Sequence, residues 1–494
     1  MLEEINRIAT CIDAAFDEKD EKSLRNLIAE INTLLSEDNC HDVFKQILYY
    51  DLGNAYSSLD VLQNRNTDKV WAYNNQENLC AIKAYRKCIK ISSCEYDSKN
   101  EILTQCYTNI GNMFSQSGRT IYAINSWKHA LSIAPDFGMT YGNLGISLVE
   151  YGKSFYDEGH ADLVYKQAYT FLKKAVASKD VYAEAKNAFM RCKQLMESRF
   201  SSDFLDDKQS FPNYFKNVSE QESVYKKWLL TNTLFLNPLN DLYCESFVAH
   251  DVIHLPNIIM SAMEFPKYHR AFNEIKQQYV SARFMYYDYL QRSDVDKDLS
   301  DIGNLLIDTF DDALYGYKFE LLRIAYKSLY SILDKIAFFI NDYFKLGHLE
   351  KQITFNSIWY EYKQKDKAHI KSEIETLNNN PLRGLYYLSK DFFSSDLEYL
   401  EVADEDAQEL AKLRNCLEHR YVKITRYKNE IFKYNLCDTL SYQISIDDFE
   451  ARTEKLLHYV REAIIYLSLA VHINEEKNLP PEGTTVSVVT REIE

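Results

Sequence analysis

Apolar positions along this chain recur mainly at helical spacing, three and four residues apart. The clearest pattern is YTNIGNMFSQSGRTIYAINSWKHALSIAPDF, which starts at Tyr107. Tyr107, Ile110, Gly111 and Phe114 share one helical face, Gly118 falls in a turn, Ala123, Trp127, Ala130 and Leu131 share a second face, and Pro135 ends the unit. The spacing recurs upstream at Tyr49, Leu52, Gly53 and Tyr56, followed by Ala81, Tyr85, Cys88 and Ile89. It recurs downstream at Tyr141, Leu144, Gly145, Leu148 and Gly152, followed by Ala168, Leu172, Ala175 and Val176. Insertions near residues 57–77 and 153–163 separate the helices of these outer pairs. Small Gly111 and Ala123 let two helices approach closely, and the aromatics fill the space between pairs. Three units are about the minimum for a stable stack, with residues 1–40 and the helix at 182–197 placed to cap it.

After about Phe200 the pattern changes. SSDFLDDKQSFPNYFKN reads as a linker, and WLLTNTLFLNPLNDLY carries turn signals yet is too apolar for disorder, which predicts an ordered bridge over 206–274. Long helices follow. KFELLRIAYKSLYSILDKIAFFINDYFKLG, at 318–347, aligns Leu322, Ala325, Leu329, Ile332, Ile336, Phe339 and Tyr343 on one stripe, with Gly347 as its stop. Glu401–Leu413 opens a second helix, and 445–473 forms a third, with Ser445 and Asp448 placed as a capping box. Residues 429–445 alternate weakly, as a small hairpin or an ordered loop would, and the tail 479–494 reads as flexible. The expected class is all-α, organised as 1–40, repeats 41–205, bridge 206–274, a helical domain 275–478 and the tail.

The repeat unit resembles the tetratricopeptide (TPR) consensus at nearly every diagnostic position. That resemblance implies a TPR-like helical-repeat solenoid binding a protein or peptide. Composition agrees with helices: 13 Gly and 8 Pro are few for 494 residues. A net charge of −16 excludes a general nucleic-acid coat protein but not a local basic site. The ten cysteines form no CxxC pair, which suits free thiols in a reducing cytosol. The acidic start MLEEINRIAT is not a signal peptide and no uninterrupted apolar run reaches membrane-spanning length, so a cytoplasmic protein with no membrane partner is expected.

One run stands apart: RNCLEHRY, Arg414–Tyr421. Arg, four residues, then His, with Asn after the Arg and Tyr two after the His, resembles the signature of the HEPN superfamily of helical ribonucleases and toxins, in the form found in HepT-like toxins. The helical surroundings fit over about residues 275–475. TPR arrays joined to HEPN domains resemble bacterial defence proteins. The resemblance implies a HEPN-type helical bundle, metal-independent RNA cleavage, no cofactor, and a homodimer in which two copies of the motif face one groove.

The chemistry follows from the groups. His419 can move protons near neutral pH, Arg414 offers a planar fork of donors to the charge that builds on phosphorus, and Asn415 can orient the phosphate or the imidazole. On one unbroken helix Arg414 and Tyr421 share a face, as do Asn415 and His419, while Arg414 and His419 are about 140° apart. Tyr421 is the residue that HepT-like relatives adenylylate; here it could equally contact RNA or pack. Arg420, Lys423, Arg426 and Lys428, interleaved with Tyr421 and Tyr427, suit single-stranded RNA, or form an ordinary solvated edge. The acidic run Glu401–Glu409 either closes the groove until activation or is a solvated helix face.

Other readings stay open. Arg414 and His419 could simply satisfy the polar end of a packed helix. The whole chain could be a non-catalytic interaction protein whose bundle dimerises or binds RNA, or a peptide-sensing regulator. His250 and His254 could share a metal with Asp251 or Cys244, but no third ligand has convincing spacing.

Overall fold

A computed structural model of the chain describes residues 2–37, 40–64, 72–73, 75–91, 99–207, 211–216, 218–259, 266–294, 297–306, 313–361, 369–392, 405–426 and 440–478. The tail 479–494, residues 65–71 of the first insertion, Glu401–Asp404, most of 429–445, and Tyr427 and Lys428 lie outside them. The fold is all-α: a helical repeat region followed by a C-terminal helical domain, with very little sheet among the described residues.

The repeat region begins with α1 (Leu2–Asp17) and α2 (Glu21–Leu35). Asp20 caps α2 by accepting the Lys22 and Ser23 N–H groups, both at 3.1 Å. Ile5, Ile8, Leu24 and Ile31 pack in a small core with Leu48, Leu52 and Leu59 of α3 (Asp42–Asn64). Three helix pairs follow from α3 onward. They are α3 with α4 (Gln76–Lys90), α5 (Lys99–Gln116) with α6 (Thr120–Ile133), and α7 (Gly138–Gly152) with α8 (Glu158–Ala177). The glycines explain how closely the pairs pack. A Cβ on Gly53 would lie 2.4 Å from the Tyr85 ring, and one on Gly111 would lie 2.5 Å from Trp127. Fully buried Trp127 donates its indole N–H to the Thr108 carbonyl at 3.1 Å. Of the insertion near 153–163, residues 153–157 form the turn and the rest lengthens α8, which starts at Glu158, where Asp157 accepts the His160 N–H at 2.7 Å. Part of the first insertion likewise extends α3 to Asn64.

After α9 (Ala183–Arg199), α10 (Ser202–Asp206) and α11 (Glu220–Thr231), the chain runs through the buried residues Leu234, Phe235, Leu236 and Leu239. Two arginines of the C-terminal helices hold this segment. Arg461 donates to both oxygens of Asp241, each at 2.9 Å, and Arg283 donates to those of Asp251 at 2.9 and 2.8 Å. Burial of Asp241, Arg283 and Arg461, with Asp251 half-buried beside them, is tolerated because each carboxylate faces a bidentate partner.

The C-terminal domain is a bundle of α12 (Lys267–Gln291), α13 (Tyr317–Tyr343), α15 (Asn380–Lys390), α16 (Glu405–His419) and α17 (Ile446–Lys477), with the short α14 (Ser372–Glu375) and a two-residue antiparallel pair, β1 (Tyr360–Glu361) and β2 (His369–Ile370). The helix α12 starts at Lys267, ahead of the boundary expected at 275. All seven stripe residues of α13 are buried. Its stop is earlier than Gly347: Lys345 takes φ 55°, and the Leu346 N–H reaches back to the Asn341 carbonyl at 3.0 Å. Ser445 caps α17 by accepting the Asp448 N–H at 3.2 Å. The helix α17 is long and apolar enough to cross a membrane, but 83% of its most apolar stretch is buried here, so the bundle core accounts for its composition.

Only the end of the weakly alternating stretch, 440–445, lies among the described residues. Its end, β4 (Ser441–Ser445), pairs in parallel with β3 (Tyr421–Thr425), Tyr421 opposite Ser441 and Thr425 opposite Ser445. Two parallel strands cannot be joined by a tight turn, and residues 426–440 span the crossover.

The two halves share one core, which runs from Tyr73 to Val471. The turn between α5 and α6 docks onto α15 and α17. There Gly118 has φ 81°, and a Cβ on it would lie 2.3 Å from the Asn380 carbonyl oxygen. Beside it, buried Arg119 donates to Glu462 at 3.0 and 2.8 Å and to Asp391 at 2.6 Å, while Arg86 adds two bonds to Asp391 at 2.7 and 3.0 Å.

Candidate active site

The motif sits where a helix gives way to a strand. In α16, Leu410, Leu413 and Cys416 are buried, so this face packs on the bundle; the Tyr326 hydroxyl donates to the Leu410 carbonyl at 2.8 Å. That packing leaves Asn415, Glu418 and His419 exposed and Arg414 half-buried on the remaining faces. The Arg420 N–H closes the last turn onto the Cys416 carbonyl at 2.8 Å. The β-branched residues Val422, Ile424 and Thr425 then favour extended backbone.

This break corrects the expected face shared by Arg414 and Tyr421. Tyr421 is the first residue of β3, and its hydroxyl is hydrogen-bonded to that of Tyr315 at 2.7 Å. Asn415 and His419 do remain on one helix.

Arg414 and Asn415 are brought together: a guanidinium nitrogen donates to the Asn415 side-chain Oδ1 at 3.1 Å. Below them lie two residues of α13 that the sequence reading did not single out. The Arg414 guanidinium lies over the Tyr330 ring at 5.7 Å, and its second nitrogen is 4.0 Å from Asp334. Burial raises the Asp334 carboxyl above its usual range, while the Phe355 N–H and Arg414 act in the opposite direction. Tyr330 and Asp334 are four apart on one flank of α13, which is the only signal the sequence offered for them. Among the described residues no hydrogen bond or ion pair holds His419, and none joins it to Arg414.

The basic cluster is divided by the strand. Lys423 is half-buried and Arg420 is exposed, whereas Arg426 pairs with Asp294 at 3.0 Å, beside Lys318 at 2.6 Å. Those two cations hold the Asp294 carboxyl below its usual range, Lys318 most strongly. Glu418 pairs with Lys327 at 3.3 Å and so faces away from the imidazole it neighbours in sequence. Glu409 is bound into the fold by the Tyr442 hydroxyl at 3.0 Å and Arg452 at 3.5 Å. No group of three His, Cys, Asp or Glu residues that could hold a metal occurs among the described residues. Asp251, considered beside His250 and His254, is committed to Arg283.

A run of exposed apolar side chains precedes Tyr315, the hydrogen-bond partner of Tyr421. Leu299, Ile302, Leu305 and Leu306 are exposed, and Asp301 in their midst accepts the Tyr317 N–H at 3.1 Å, two residues from the Tyr315 that holds Tyr421.

The arrangement is an all-helical bundle that presents an Arg–Asn pair and a histidine at one helix terminus. Residues 259–474 match the family described as LA2681-like HEPN, so the chain carries a C-terminal HEPN domain. The match starts sixteen residues before the boundary expected at 275 and leaves the repeat region outside it. No curated protein and no solved structure matches the chain.

Proposed function

We propose that this protein is a metal-independent endoribonuclease of the HEPN type, with the helical repeats acting as a TPR-like sensing or assembly arm. The observation that carries the reading is the Arg414–Asn415 pair, hydrogen-bonded and solvent-accessible one turn from exposed His419. His419 serves as general acid or base, Arg414 binds the phosphate oxygens and stabilises their transition-state charge, and Asn415 orients the scissile phosphate. Because Arg414 and His419 are not joined within one copy, the site is completed by a second copy of the domain. The exposed Leu299, Ile302 and Leu305 supply an apolar surface for that homodimer. Tyr421, Arg420 and Lys423 line the approach of a single strand, while Arg426 contributes to strand position through Asp294. Action in a bacterial defence or toxin role, in the cytoplasm and switched by a protein or peptide on the repeats, fits this design.

The test is cleavage of tRNA and mRNA by purified protein in EDTA. Wild type should cut, and His419→Ala and Arg414→Ala should each lose at least a hundredfold in rate. Equal cleavage by wild type and both variants rejects the assignment.

A specific observation favours a second reading. Arg414 is seated over Tyr330 and beside Asp334, as a purely structural arginine would be. In that case the bundle dimerises or binds RNA without cutting it, and Arg414→Ala lowers stability while no RNA is cleaved by any form.

A further inference from the structure

Histidines from four elements gather where the repeats, the bridge and the C-terminal bundle meet. The junction is centred on Tyr156, in the turn before α8. The Tyr156 hydroxyl donates to the His254 carbonyl at 2.7 Å and accepts the His254 N–H at 3.2 Å. Ser468 of α17 donates to the same carbonyl at 2.5 Å. One residue of the bridge thus fastens the turn between α7 and α8 to α17.

The rings of His254 and of His472 on α17 stand edge-on to the Tyr156 ring, at 4.8 and 5.6 Å. His160 lies in the first turn of α8, and His269 in the first turn of α12. The Nδ1 of His269 is buried without a hydrogen-bond partner, so a proton there would become an unmatched donor. Among the described residues, charged groups face the cluster from each element. Asp157 is 3.2 Å from the His160 ring, and Glu476 is 3.4 Å from the His472 ring. Lys276 of α12 donates to the Asp251 and Ile253 carbonyls at 2.7 and 2.8 Å, beside His254. Glu475 of α17 accepts the Ile259 N–H at 2.8 Å.

Burial holds the His160, His269 and His472 imidazoles below their ordinary pKa. Asp157, the Pro256 carbonyl and Glu476 oppose it at the three rings in turn, each more weakly than burial. Charge on His254 lowers both His160 and His269 further, which places these rings within one another's field.

We propose that this junction is an acid-operated latch. With its histidines neutral, the turn before α8, the bridge and α17 stay fastened at His254; as the rings take up protons on mild acidification, their repulsion and the cost of buried charge release the bridge from Tyr156 and Ser468. The released form binds these protons more tightly, because its histidines titrate near their ordinary value of about 6.5. The closure is therefore at full strength above that pH and weakens as pH falls below it. The latch uses no residue of RNCLEHRY and does not depend on the cleavage reading.

The experiment is hydrogen–deuterium exchange of the full chain, read by mass spectrometry at about pH 7.5 and about pH 5.5 and corrected for the pH dependence of unprotected amides. Peptides over 252–259 carry the reporters, because the His254 and Ile259 N–H groups are bonded to Tyr156 and Glu475. Their exchange should rise at least tenfold at the lower pH, while α5, outside the junction, stays protected. His160→Gln/His472→Gln keeps polar side chains that cannot take a charge, and should hold the rise below about threefold. Melting at the higher pH checks the fold of the variant, and His269→Gln takes its place if the double variant melts early. No rise in wild type overturns the latch. A rise beyond about threefold in the variant also overturns it, since the opening then lies with other groups. A rise shared by α5 overturns it as general acid unfolding.

Discussion

Lys390 illustrates how much a single buried group shapes this fold. It is 1% exposed, its ammonium lies over the rings of Tyr386 and Tyr360 at 5.0 and 5.3 Å, and burial, followed by Lys83, pushes its pKa down to about 7. The unfolded chain holds this proton up to about pH 10.4. Between those values the unfolded state binds more protons, so Lys390 lowers stability there, and the penalty is full below pH 7 and fades as pH rises. Lys390→Met should therefore be more stable than wild type at pH 6–7, with the gap narrowing towards pH 10; urea titrations across that range measure it. A gap independent of pH would mean that Lys390 titrates normally. The cost of this lysine was not legible in the sequence, where it appears as an ordinary charge ending a helix. The motif residues were more legible. Arg414, Asn415 and His419 stood out because their spacing is local to one helix, whereas Tyr330 and Asp334 beneath Arg414 come from a helix 80 residues earlier.

At the scale of elements, the repeat pairs were readable because their code is short-range: a glycine on the first helix and a ring on the second. Gly111→Ala forces a methyl group towards Trp127 and should cost about 1–3 kcal/mol by overpacking. Ser445→Ala removes the cap of α17 and should cost about 1 kcal/mol. Chemical denaturation of the two variants against wild type checks both values, and a neutral Gly111→Ala would show that the pair can spread. The parallel pairing of β3 and β4 was hidden for the opposite reason. Its strands are short, one follows directly on a helix, and their partnership spans residues 426–440. Alternation in 429–445 was real at its end, but nothing local distinguished a parallel partner from a hairpin.

At the scale of the whole molecule, the boundary between repeats and bundle is a boundary of pattern, not of core. Arg119 joins the two halves through Asp391 and Glu462, and the Tyr466 hydroxyl accepts the Ile121 N–H at 2.9 Å. Arg119→Met leaves buried Glu462 without its guanidinium and Asp391 with Arg86 alone, and should cost about 3–5 kcal/mol. Scanning calorimetry of wild type should show one transition for both halves; two well-separated transitions would contradict the shared core. This junction was not legible because each of its charges is unremarkable alone and its partners are hundreds of residues apart.

The same junction has a consequence for how the chain is made. Arg119 and Glu462 are 343 residues apart, so at the usual 5–20 residues per second the guanidinium waits roughly 17 to 70 s for its final partner to leave the ribosome. Until then the repeat region has an unmatched cation at its docking turn and no α17 to cover it. Completion of the fold is thus tied to the synthesis of α17. A message truncated between residues 422 and 445 yields a product that lacks this closure, even though the whole RNCLEHRY run has been translated.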